Sequence, residues 1–135
     1  MIKVLSICWV FLISFDCFQN KKNNQVENNY ALVINIYSEN NKKYIDADYV
    51  QYFTGKKAIE EAKKRNEADK HIINGETVYS VPNDIYIVNE NNKIRKLEVS
   101  NNVKLDYLKN DYKDKLFLLT IQNEKVVDIK EIITP

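Results

Sequence analysis

Between Tyr30 and Ile133 the chain repeats one pattern, a short run of aliphatic, β-branched and aromatic residues closed by a polar turn that carries asparagine. Runs this short, with apolar and polar residues alternating, have the two-residue period of half-buried strands. Leu32, Ile34 and Ile36 alternate with Val33, Asn35 and Tyr37 and stop at Ser38-Glu39-Asn40-Asn41, and Tyr44–Phe53 predicts a second strand paired with the first as a hairpin. His71–Tyr79 encloses Asn74-Gly75, whose residues both tolerate positive φ and so predict a tight hairpin turn. Pro82-Asn83-Asp84 interrupts, Ile85–Val88 resumes, Asn89-Glu90-Asn91-Asn92 turns, and Ile94–Ser100 gives a strand with Leu97 and Val99 on one face. Val103–Tyr107 is expected as a short edge strand. Leu116–Gln122 and Lys125–Ile133 are expected as a last hairpin, with Phe117, Leu119 and Ile121 sharing a core with Val127 and Ile129.

One stretch changes the period. Thr54 can cap a helix by accepting backbone N–H groups, Ala58, Ile59 and Ala62 make a narrow apolar stripe, and Glu60–Lys64 and Glu61–Arg65 stand four apart. These residues predict a helix over Gly55–Asp69. Many strands around one helix predict a mainly β, α+β fold. Its form is a small curved sheet or a partly open barrel of the oligonucleotide/oligosaccharide-binding (OB) type, with the inserted helix plugging one end. Closure would also remove exposed strand edges.

The amino terminus has a different character. Lys3 precedes a nearly unbroken apolar run from Val4 to Phe15, which ends at Asp16-Cys17 and a polar stretch. About a dozen apolar residues are too few to span a hydrocarbon core of about 30 Å as a helix, but they suit the centre of a secretory signal. Residues 1–17 therefore predict a signal peptide ending at a cysteine that is lipidated to become the new terminus. Asp16 departs from the usual small residue before such a cysteine, so cleavage nearby and an uncleaved anchor stand as alternatives. Residues 18–29, rich in Asn, Gln and Lys, read as a flexible tether, and residues 30–135 as one β-rich domain. The two cysteines, Cys8 and Cys17, both precede that domain, so its stability must come from its core rather than from a disulfide. Removing residues 1–16 takes away one lysine and one aspartate and leaves the net charge at +1, a balance that argues against nucleic acid as a partner.

The series Asp46-Ala47-Asp48-Tyr49-Val50-Gln51-Tyr52-Phe53-Thr54-Gly55, Val81-Pro82-Asn83-Asp84-Ile85-Tyr86-Ile87-Val88-Asn89 and Ile94-Arg95-Lys96-Leu97-Glu98-Val99 resembles a family of small, uncharacterised bacterial secreted proteins and lipoproteins. In that family a strand with an acidic residue enters a Thr-Gly helix start, and a Pro-Asn-Asp segment is followed by Arg and a hydrophobic strand. Ile85 stands where an aromatic residue is common, and Lys125-Val126 where the final turn usually carries glycine. The resemblance implies export and a compact β-rich domain, and it brings no activity with it.

Asp46 and Asp48, two apart on a strand, share a face on which paired carboxylates can bind a cation or share a proton. With no third carboxylate nearby, a solvated face is the stronger expectation. Asp48, Tyr52, Asn83, Asp84, Tyr86, Asn89 and Arg95 form the motif-derived set of candidate ligand-binding residues. Arg95 is expected to pair with Asp84 or Asp48, and Tyr44, Tyr49, Tyr52, Tyr79 and Tyr86 could together make an aromatic platform. His71, the sole histidine, lacks the companions of a zinc site. No nucleophile, cofactor or metal motif stands out, so no cofactor is expected. The expectation is a non-catalytic envelope module, lipid-anchored on the outer side of a membrane or else secreted, that binds a protein, peptide or glycan. The alternative is a small envelope hydrolase using Asp46, Asp48 or Asp84, which would need two carboxyls about 5–10 Å apart across a cleft.

Overall fold

The computed structural model describes residues 25–108 and 111–133. The signal segment, Cys17, residues 18–24 of the tether and Pro135 lie outside the described residues. Among the described residues nine strands and one α-helix follow in chain order: β1 (Val26–Glu39), β2 (Lys42–Tyr49), β3 (Gln51–Thr54), α1 (Gly55–Lys64), β4 (Asp69–Ile73), β5 (Glu76–Ser80), β6 (Ile85–Val88), β7 (Ile94–Val99), β8 (Leu116–Gln122) and β9 (Lys125–Ile132). The fold is mainly β, a curved sheet with an inserted helix, as the strand pattern predicts. Five strands pair in the order β1-β2-β7-β9-β8, and β8 returns to β1 so that the ring closes.

The long first strand makes that ring possible. Its first half pairs with β8 from Val26↔Gln122 to Leu32↔Leu116, and its second half with β2 from Ala31↔Tyr49 to Glu39↔Lys42, with a bulge between Val33 and Asn35. A bulge adds a residue to one strand and increases local twist, which bends β1 from one neighbour to the other. Val26–Asn29 are therefore strand, and the stretch expected as tether ends four residues sooner. Closure is narrow at one seam, because β7 and β9 run parallel and share only Glu98↔Lys125 and Val99↔Val126.

Inside the ring Ala31, Ile45, Ala47, Phe117, Leu119 and Val126 are fully buried. Val103, Leu105 and Leu108 join the same core. The segment expected as a short edge strand thus has a different job: it is irregular chain with a 3-10 turn at Asp106–Leu108, and it fills the barrel interior that the helix was expected to plug. Val127, expected inside, is 36% exposed because a register shift between Thr120 and Ile121 turns Val126 inward instead.

The helix belongs to a separate arm. The predicted strand Tyr44–Phe53 breaks at Val50, whose N–H donates to the Tyr30 carbonyl at 2.9 Å, and β3 leaves the barrel to pair with β6. Helix α1 lies on that ribbon, where Ala58, Ala62 and Val81 form a second small core with Phe53, Ile59, Ala68 and Tyr86. Thr54 makes no side-chain cap bond, and the chain enters the helix through Gly55 at φ +59°. The helix stops at Lys64, five residues before the expected end. Asn66 takes φ 59°, its N–H donates to the Lys63 carbonyl at 3.1 Å, and the Glu67 N–H donates to the Ala62 carbonyl at 2.9 Å, a Schellman ending built on asparagine. Of the expected intrahelical ion pairs neither forms: Lys64 meets Glu61 at 2.6 Å and Arg65 meets Glu90 at 2.7 Å. Hairpin β4–β5 forms around Asn74-Gly75 as predicted and leaves Ile72 74% exposed.

Candidate binding site at the barrel mouth

The motif residues named from sequence do not gather in one place. Asp48, next to last in β2, stands opposite Leu32 and Ile94 and is only 7% exposed. Its Oδ2 accepts from Asn89 Nδ2 at 2.6 Å, and its Oδ1 has no hydrogen-bond partner. The carboxylate thereby fastens the barrel to the end of β6 instead of facing solvent. Tyr52 meets Tyr30 with ring centroids 5.0 Å apart. Asp84 lies past the far end of the β3–β6 ribbon, since Gln51 pairs with Val88 but Thr54 pairs with Ile85. At about 3.3 Å per residue that puts roughly 15 Å of ribbon between Asp48 and Asp84, too far for one acid–base pair. Asn83 and Asp84 sit in a turn at φ 53° and 56°, where the Asp84 N–H donates to the Val81 carbonyl at 3.2 Å.

Arg95 pairs with neither aspartate. Its guanidinium carbon stands 4.3 Å from the Tyr49 ring centroid and its Nη1 donates to the Lys93 carbonyl at 2.8 Å. The five tyrosines also disperse. Tyr44 stacks on Tyr37 at 5.7 Å, Tyr79 lies under Lys63, and Tyr86 donates its hydroxyl to Glu67, where burial and that carboxylate push the phenol up. His71 is in β4, and its Nε2 meets Ser80 Oγ at 3.0 Å.

A different set of residues does converge. At the end of the barrel where β1 begins and β8 turns into β9, a depression of about 510 Å³ is lined by Gln25, Glu27, Tyr49, Lys96, Leu97, Ile121, Asn123 and Glu124. The strand registers explain the grouping: Glu27 is opposite Ile121, Tyr49 opposite Ala31, and Leu97 opposite Ile45, all pairs on the inward face of the sheet. Burial pushes the Tyr49 phenol above its ordinary value, the Arg95 cation pulls it down, and the Glu27 carboxylate pushes it up again. Tyr49 is thus a neutral hydroxyl with a cation on its ring and an anion near it. Beside the mouth, on the outer face of β2 and β7, Lys96 Nζ stands 4.3 Å from the Tyr44 centroid and 2.5 Å from Glu39, whose hydrogen bond holds the ammonium pKa up. Asp46 Oδ1 accepts from the Tyr37 hydroxyl at 3.3 Å on the same face.

The mouth offers an apolar floor in Leu97 and Ile121, side-chain amides in Gln25 and Asn123, and carboxylates in Glu27 and Glu124. That mixture can hold a ligand. Among the described residues no three His, Cys, Asp or Glu gather as a metal-binding group. Glu27 escaped the reading of the sequence because it lies in the polar stretch before Tyr30. Its two-residue spacing from Asn29 and Ala31 carries the inward parity of β1 back to it.

No protein-family model, no curated protein and no solved structure matches the chain. Among the described residues no helix is long and apolar enough to cross a membrane.

Proposed function

We propose that the chain is an exported envelope protein, lipid-anchored through Cys17, of the secreted and lipoprotein family that it resembles. In this reading its barrel is of the OB type and acts as a non-catalytic binding module for a protein, peptide or glycan. The observation that carries the reading is the mouth, where Glu27, Tyr49, Leu97, Asn123 and Glu124 from four different strands and turns line one open depression. In OB barrels the second and third strands and the turns after the first and fourth form the binding face. Here those correspond to β2 and β7, which carry Tyr44 and Lys96, and to the turns Asn40-Asn41 and Asn123-Glu124.

The anchor and the mouth belong together in this reading. Eight residue steps separate Cys17 from Gln25, which reach at most about 28 Å when extended. A lipid at Cys17 would hold the mouth that close to the membrane surface, where envelope polymers and proteins are the available ligands.

Two measurements test the two halves. Mass spectrometry of the mature N-terminus is expected to find acylated Cys17, and an unmodified start downstream of it would leave a secreted protein. Titration of the full-length protein in detergent micelles with peptide and glycan libraries, followed by NMR, is expected to move the Tyr49, Leu97 and Asn123 signals without turnover. Turnover of either library would favour the hydrolase alternative.

A further inference from the structure

Strand β7 has a backbone edge that no other strand among the described residues covers. It pairs with β2 along its whole length, from Ile94↔Asp48 to Val99↔Lys43, but with β9 only at Glu98 and Val99. The parity of the free edge follows from one bond, the Ser100 N–H donating to the Val126 carbonyl at 2.8 Å. Backbone groups alternate sides along a strand, so Glu98, Lys96 and Ile94 also turn theirs away from β2. Beyond the start of β9 the groups of Lys96 and Ile94 therefore face the side on which Asn123 and Glu124 line the mouth.

Two properties of the place define what would cover it. An unpaired row of N–H and C=O groups is complementary to an extended peptide backbone, which can satisfy donors and acceptors at the spacing of a strand. The carboxylates of Glu27 and Glu124 line the same depression, Lys96 is neutralised by Glu39 at 2.5 Å, and the Arg95 guanidinium over the Tyr49 ring offsets one of the two carboxylates. The charge left to a ligand is negative, so a basic side chain complements it. Leu97 and Ile121 supply an apolar floor for an aliphatic residue beside that base.

Resting on the binding-module reading, we infer that β7 receives an extended, lysine- or arginine-bearing peptide segment by strand addition across the barrel mouth. The added strand lies along Ile94–Leu97, bonds to the backbone of Ile94 and Lys96, and continues the sheet where β9 leaves it. Its basic side chains meet Glu27 and Glu124.

The test is amide hydrogen exchange on the full-length protein in detergent micelles. The probe is a six-residue peptide alternating lysine and valine, with two controls: the same peptide with glutamate for lysine, and one N-methylated at alternate amides. The lysine peptide is expected to slow exchange at Ile94 and Lys96 by about tenfold or more while Arg95 and Leu97, already bonded to β2, stay unchanged. Both controls are expected to lose that protection, and Glu27→Gln with Glu124→Gln to weaken binding about fivefold at low salt. Equal protection by the glutamate or N-methylated peptide overturns the inference. So does slow exchange at Ile94 and Lys96 in the protein alone, which would mean that this chain already covers its own edge. A chitin tetramer that shifts Tyr49 and Leu97 without slowing those amides overturns strand addition and leaves the binding module standing. Failure of both probes at millimolar concentration overturns both.

Discussion

Asparagine does in this chain much of what glycine does elsewhere. The chain has two glycines, and among the described residues nine others take positive φ, six of them asparagine: Asn40, Asn41, Asn66, Asn74, Asn83 and Asn123. Asparagine reaches the left-handed region at low cost because its short polar side chain bonds locally. The abundance of asparagine thus has a structural use. Glu124 is the costly exception at φ 64°. Glu124→Gly is expected to stabilise the protein by about 1 kcal/mol in urea denaturation, since a non-glycine left-handed residue costs about 1–2 kcal/mol and glycine returns part of that as chain entropy. Asp48 is a second residue whose meaning the sequence concealed: its identity marked it for a site, while its burial depends on an arm folded over it from forty residues away. Asn89→Ala leaves that carboxylate buried without its donor, and the expected loss is about 2–3 kcal/mol in the same measurement, whereas Asp84→Asn, which keeps a short polar side chain at an exposed position with φ 56°, is expected to change little.

At the scale of elements, the local patterns located nearly every strand and the helix, because period and turn chemistry are written in neighbouring residues. What they could not locate was where elements go. The helix packs on the β3–β6 ribbon rather than in the barrel because its stripe, Ala58 and Ala62, is too small to fill a barrel end and matches a close approach to Val81 and Phe53. Ala62→Leu overfills that second core, and the expected cost of about 1–3 kcal/mol falls on the arm. Hydrogen exchange would show faster exchange in α1, β3 and β6 with Ile45 and Leu119 unchanged; equal acceleration throughout would mean one core, not two. The narrow β7–β9 seam is reinforced by Glu98, which pairs with Lys125 at 2.6 Å and Lys42 at 3.0 Å. Those two hydrogen bonds hold its carboxyl below the ordinary value. A depressed folded pKa gives stability that is fully present above the unfolded value of about 4.3 and lost as pH falls through the folded one. The stability difference between the wild type and Glu98→Gln is therefore expected to be positive at neutral pH, to vanish in acid, and to shrink with added salt.

For the whole molecule, the fold class was legible and the site was not. Mainly β structure around one helix follows from patterns spread along the chain, but the mouth is assembled from Glu27, Tyr49, Leu97 and Asn123, which come together only when β8 closes on β1. Tyr49 and Leu97 stand in the motif series, but Glu27 and Asn123 do not, and nothing local joins the four. Their grouping is a property of register and shear, and register is fixed by long-range pairing that no local window contains. Of the motif-derived candidates, Asp48, Asn83, Asp84 and Asn89 hold the arm and its turns in place. The proposed binding function places ligand contact at the mouth. A photo-crosslinking side chain placed in turn at Gln25, Lys96 and Asn123 of the mouth, and for comparison at Thr77 in the hairpin and at Asp84, tests this in intact cells. Discrete adducts from the three mouth positions and none from Thr77 or Asp84 are the predicted result. Adducts confined to Thr77 or Asp84, with the mouth silent, would contradict it.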